Sequence, residues 1–296
     1  MSERGREIEV WGDWAELGGP VRIGALRALP SRGKEVFSFE YEASWLSRSE
    51  PLLLDPELRL FRGPQFAARE KPNFGLFLDS SPDRWGRALM RRRESIKAHK
   101  EGRPPRNLLE SDYLLGVYDA NRMGAIRFRE VGGDAFQSSD DSMAAPPWAK
   151  LRDLEYASFL FEREEDDEKL DPWLALLMAP GSSLGGARPK ASVLFPDGSL
   201  WLAKFPGRED ERDVGAWEML TALLAREAGI EISEARLEVL SKRGSTFLTR
   251  RFDRVPGGKR CHFASAMTML GRIDGDDAAS GASYLELADF LVRHGS

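Results

Sequence analysis

The sequence predicts an α+β protein: a small β-rich domain at the front, then a lobe made of a loop, a hairpin and a helix. Three observations predict it. Val36, Phe37, Phe39 and Tyr41, with Ser38 and Glu40 between them, alternate in the manner of a half-buried strand. Val193, Leu194 and Phe195 precede Pro196-Asp-Gly198, and Leu200, Trp201, Leu202 and Ala203 follow it, which is a hairpin pattern. From Asp213 to Gly229, apolar Val214, Trp217, Leu220, Leu224 and Ala228 recur at helical spacing, with Gly229 as a stop.

Composition bounds the remaining classes. A chain of 296 residues suits about two domains, and a 42% hydrophobic content is enough for packed cores. The net charge of −5 argues against broad electrostatic binding of nucleic acid. Arg84, Arg87, Arg91, Arg92, Arg93, Lys97 and Lys100 do concentrate positive charge, as a solvated helix face or as a phosphate-contacting patch. One cysteine, Cys261, excludes an internal disulfide and suits a reducing cytoplasm. The opening MSERGREIEVWGDW lacks the apolar core of a signal peptide. No window approaches the eighteen or so apolar residues of a membrane span, so a cytoplasmic protein without membrane contact is expected.

In chain order, strands are expected around Ile8 and Val10, from Val21 to Leu26, and from Val36 to Tyr41, with Trp45 and Leu46 extending the apolar set. Phe74 to Leu78 is a short apolar segment. Ser81-Pro82 is a helix entrance, and a helix should run from Pro82 to about His99. Leu108 to Tyr118 reads as a second helix and Gly124 to Phe128 as a strand. Residues 132–150 are linker-like, and Leu151 to Leu177 is helical around an acidic turn, Glu162 to Glu168. Further helices are expected from His262 to Leu270 and from Ala282 to His294, with Asp274, Asp276 and Asp277 in a solvated loop between them. This divides the chain into 1–148, 149–260 and 261–296.

The chemistry gathers in Gly181 to Lys204. A loop of Gly, Ser and Ala lets backbone N–H groups approach an anion, and Lys204 stands near the end of the strand that follows. Glu218 lies on the next helix, where a glutamate can hold a phosphate-binding lysine as in kinases. The spacing matches neither G-x-x-x-x-G-K-[ST] nor G-x-G-x-x-G, and a Gly/Ser loop is also an ordinary connector. Phe247 to Arg254 completes the set: a strand with a charged exit, read either as the hinge of a two-lobed kinase or as an edge strand.

Ser80-Ser-Pro-Asp-Arg-Trp-Gly-Arg87, Gly185-Gly-Ala-Arg-Pro-Lys190 with Ala203-Lys-Phe-Pro206, and Thr249-Arg-Arg-Phe-Asp-Arg254 resemble segments of the HipA family of bacterial toxin serine/threonine kinases. Ser265 to Gly271 and Ser283 to Leu287 fit the same order, so the resemblance covers nearly the whole chain. It implies a kinase-like small lobe preceded by the β-rich subdomain, with the large lobe only begun. It implies ATP binding at Ser183, Leu184, Gly185, Gly186, Ala187, Lys204, Glu218, Arg251 and Phe252, with Mg²⁺ as companion. Autophosphorylation is implied at Ser183, with Ser182 as the alternative; about two added negative charges there would repel nucleotide. The implied partners are a HipB-like DNA-binding antitoxin, through which DNA is reached only indirectly, and a protein substrate such as an aminoacyl-tRNA synthetase.

No H-x-D-like or D-F-G-like loop follows Arg254, so no catalytic or metal-binding residue is assigned in this sequence. The expectation is the front part of such a kinase. The alternative is a catalytically inactive module that keeps its partner contacts.

Overall fold

The computed structural model describes residues 5–48, 52, 54–163, 177, 186–255 and 257–295. Two antiparallel sheets organise it. The first contains β1 (Arg6–Gly12), β2 (Val21–Ser31), β3 (Lys34–Tyr41), β4 (Gln65–Phe66) and β5 (Ile126–Glu130), in the order β4-β3-β2-β1-β5. Period-two alternation puts Ile8, Val10, Phe37 and Phe39 on one face, all buried. They meet Trp45 of α1 (Ala43–Leu46) and Leu76 and Phe77 of α2 (Gly75–Asp79). The apolar segment at Phe74 to Leu78 is thus a short helix, with Phe74, Leu76 and Phe77 buried in the first core.

Asp83 caps α3 (Arg84–Lys100) by accepting a hydrogen bond from the Gly86 N–H at 2.8 Å. The helix starts two residues later than Pro82 because Asp83 is extended and holds the cap. α4 (Glu110–Gly116) follows, and α5 (Leu151–Glu162) covers the first part of the segment expected to be helical to Leu177. Most of the remainder, including the acidic run beyond Arg163, lies outside the described residues.

The second sheet contains β6 (Lys190–Leu194), β7 (Leu200–Lys204), β8 (Ala235–Ser241) and β9 (Gly244–Arg250), in the order β6-β7-β9-β8. One face carries Ala191, Val193, Trp201, Ala203 and Leu248, packed on Trp85, Leu89 and Ile96 of α3 and on Leu154 and Ala157 of α5. This second core draws on both sides of residue 148. Phe195 stacks on Trp201 with centroids 4.3 Å apart.

Against β8 and β9 lies α6 (Val214–Glu227), which contains no buried residue; Trp217 is 54% exposed and Leu224 61%. The expected apolar face exists and is uncovered among the described residues. α7 (Ala266–Met269) is a single turn and α8 (Tyr284–His294) is the last element. The helix expected from His262 is shorter because Asp79 accepts the Ser265 N–H at 2.7 Å, holding that residue extended as the cap of α7. Part of the positive charge of α3 is met by acidic partners: Arg84 pairs with Asp274, Arg87 with Glu110 and Lys97 with Glu101. Among the described residues no helix is long and apolar enough to cross a membrane.

The chain leaving β9 is anchored by Asp253, which is fully buried and accepts from Arg251 at 2.8 and 2.6 Å, from Arg254 at 2.6 Å and from the Gly124 N–H at 2.8 Å. Asp253→Ala strands two guanidinium groups in the interior, so a loss of about 3–5 kcal/mol is expected in chemical denaturation.

His262 gives a pH dependence. Its ring lies 5.2 Å from Trp14, and burial pushes its pKa from 6.5 down to about 4. The folded state disfavours the protonated ring, so this contribution is whole above 6.5 and is lost as pH falls toward 4. Buried Asp55 and Asp79, whose pKa values burial raises, act in the opposite sense. Comparison with His262→Phe isolates the histidine. Relative to that variant, the native protein should lose about 3 kcal/mol between neutral pH and pH ~4, read from denaturation midpoints.

Candidate nucleotide-binding site

The ladder between β6 and β7 pairs Lys190 with Lys204, Ser192 with Leu202 and Leu194 with Leu200. Directly opposed residues share a face, so the two lysines stand side by side at the loop end of the strands. Each has its own carboxylate. Lys204 Nζ donates to Glu218 Oε2 at 2.5 Å, and the ammonium lies 5.6 Å from the Phe247 ring centroid. The Lys204 side chain is 33% exposed.

The placement of Glu218 follows from the start of α6. Asp213 accepts from the Ala216 N–H at 3.0 Å and also from Ser245 Oγ at 2.7 Å, which ties the helix start to β9. At Gly215 an added Cβ would lie 2.1 Å from the Ser245 carbonyl oxygen, so glycine permits this close approach. Glu218 falls one turn further on, opposite Lys204.

Lys190 is far more enclosed. Its Nζ donates to Asp83 Oδ2 at 2.5 Å and to the Gly186 carbonyl at 3.0 Å, and both charged side chains are 5% exposed. Burial lowers the Lys190 pKa, Asp83 opposes that, and Lys204 adds to the fall. Gly186 has φ +92°, a conformation that suits glycine, and an added Cβ there would sit 3.6 Å from Lys190 Nζ. Gly186 and Ala187 are exposed, while Arg188 makes a two-pronged pair with Asp210 at 2.6 and 2.5 Å. Ser182, Ser183, Leu184 and Gly185 lie outside the described residues. A cleft of about 840 Å³ opens beside the loop, lined by Gly186, Ala187, Asp83, Arg84, Met267 and Asp274 among others.

One of the expected nucleotide contacts has its side chain committed elsewhere. The Arg251 side chain is buried and donates to Asp253 and to the Asn121 carbonyl at 2.7 Å, so its guanidinium is committed to the fold. Phe252 is 61% exposed and tilts against Phe263 at 5.7 Å. The structure unites Lys204 with Glu218, and Gly186 with Lys190. In the sequence Lys190 stands out only as part of the Gly185 to Lys190 motif. Its cross-strand register with Lys204 was the available signal.

The three aspartates of the 274–277 loop do not converge. Asp274 accepts from Arg84 at 2.8 and 2.9 Å, Asp276 from the Ile273 N–H at 3.1 Å and Asp277 from the Ala279 N–H at 2.8 Å. Among the described residues no group of three or more His, Cys, Asp or Glu is placed to hold a metal.

A glycine-bearing loop, a strand lysine and a helix glutamate on a four-stranded antiparallel sheet define a kinase-like α+β lobe. Residues 182–296 match the family described as the HipA-like C-terminal domain. Among solved structures, a chain of the Shewanella oneidensis MR-1 toxin–antitoxin complex of HipA, HipB and operator DNA is similar at 17% identity and a TM-score of 0.47. The similarity covers 86% of this chain and 55% of that one, so this chain spans little more than half its length. None of the curated proteins compared matches the sequence.

Gly215→Ala tests the helix approach. Ordinary helix propensity would make alanine stabilising by about 0.5–1 kcal/mol. The overlap with Ser245 should win, giving a net loss of about 1–3 kcal/mol in denaturant titrations.

Proposed function

We propose that the lobe binds ATP, and that the chain is the front part of a HipA-like toxin serine/threonine-protein kinase. The ion pair between Lys204 and Glu218 carries this reading, because it holds an ammonium ready at the strand end beside the glycine loop. Lys204 grips the phosphates, Glu218 orients it, and backbone N–H groups near Gly186 and Ala187 receive anionic oxygens. The partners that follow from the family are a HipB-like DNA-binding antitoxin and a protein substrate such as an aminoacyl-tRNA synthetase. DNA contact would be indirect, through the antitoxin.

No step of phosphoryl transfer is assigned to these residues, since no metal site gathers among the described ones. A second reading is a partner-binding module that does not transfer phosphate. Phosphorylation of a protein substrate by this chain would set that module aside.

ATP should raise the melting temperature of the full chain. Lys204→Met should abolish the shift, and Glu218→Gln should weaken apparent affinity about tenfold, equivalent to ~1.4 kcal/mol. An undiminished ATP shift in Lys204→Met removes the lysine's assignment.

A further inference from the structure

The first turn of α3 reaches across to the second sheet at one residue. Asp83 Oδ2 accepts from Lys190 Nζ at 2.5 Å, while its Oδ1 caps the helix through the Gly86 N–H at 2.8 Å. Two residues on, Trp85 Nε1 donates to the Lys190 main-chain carbonyl at 3.1 Å. Lys190 is therefore held at both its ammonium and its backbone by neighbouring residues of one helix. The same ammonium donates to the Gly186 carbonyl at 3.0 Å, inside the loop. Trp85 is itself locked in the second core, edge-on to Phe161 at 5.0 Å.

We propose that Asp83 and Trp85 are positioning residues of the nucleotide site: through Lys190 they fix the Gly186 end of the glycine loop. The front unit then sets the loop's geometry, and a displacement of α3 changes how the loop receives phosphate. This rests on the ATP-binding reading for its functional consequence and on geometry alone for the mechanical one. A buried ammonium with a carboxylate on one side and a loop carbonyl on the other is a rigid strut. If the carboxylate is removed, the lysine's burial becomes uncompensated and it leaves the carbonyl as well.

Asp83→Asn is the informative variant, because asparagine keeps the helix cap while losing the charge. In the full chain, hydrogen exchange of residues 186–190 should accelerate at least ~10-fold, with α3 amides beyond the first turn unchanged. Lys190→Met should reproduce the effect, and combining the two should add nothing. Unchanged exchange in 186–190, or equal acceleration along the whole of α3, overturns the proposal. For function, a fluorescent ATP analogue should bind Asp83→Asn about tenfold more weakly than the native chain. Equal or tighter binding, as expected from merely deleting a negative charge, rejects the link to phosphate. Absence of binding by the native chain refutes the nucleotide reading instead, and the exchange result then judges the strut by itself.

Discussion

The carboxylate of Asp253 ties the segment that leaves the second sheet to the front unit. It is wholly buried, and it receives two arginines from its own segment and a backbone N–H from Gly124 of the front unit. Arg251 and Arg254 then extend outward to carbonyls that no ladder satisfies: Asn121 at 2.7 Å, Ala120 at 3.0 Å and Arg122 at 2.9 Å. Arg260 adds the Asp119 carbonyl at 2.6 Å. A turn of the front unit is thus capped by side chains from beyond β9. A carbonyl left bare in such a place costs about 1–3 kcal/mol, so the orientation of the two units is strongly specified.

Electrostatically the joint is tense. Arg122 is fully buried, and burial lowers its pKa to about 9; Arg254 falls to about 9 through burial first and then through Arg251 and Arg260. Guanidinium groups crowd a region in which Asp119 and Asp253 are each shared. Such an arrangement adds little net stability, yet breaking any one pair is expensive, which favours a single geometry. The RRFDR segment therefore earns its place in this fold as a clasp at the junction, rather than through an arginine aimed at a nucleotide.

What was legible in the sequence was local. The alternation of β3, the turn between β6 and β7 and the periodicity of α6 are each written in one short stretch of neighbouring residues. Lys204 and Glu218 are separated by 14 positions and share a strand-to-helix unit, so their partnership could be anticipated. Lys190 and Asp83 are 107 apart, and Ser265 and Asp79 are 186 apart; no window of sequence joins them. β8 went unrecognised because it is an edge strand with most residues half-buried or exposed, which leaves a weak alternation. The helix expected at His262 was shortened by a carboxylate from α2, a tertiary bond overriding local propensity.

The two lysines of the site are not equivalent, and the difference assigns their work. Like charges directly opposed in a ladder are destabilising by about 0.2–1 kcal/mol, and here each is offset by a carboxylate from a different helix. Lys204 is a third exposed, with Glu218 28% exposed beside it, so that pair can loosen into water and take a new anion at small loss. Lys190 and Asp83 are each 5% exposed. Separating them would leave a carboxylate and an ammonium buried and unpaired, a penalty of several kcal/mol. Lys204 is thus the lysine free to reach toward a ligand, while Lys190 holds still and keeps the loop in register with the helix behind it.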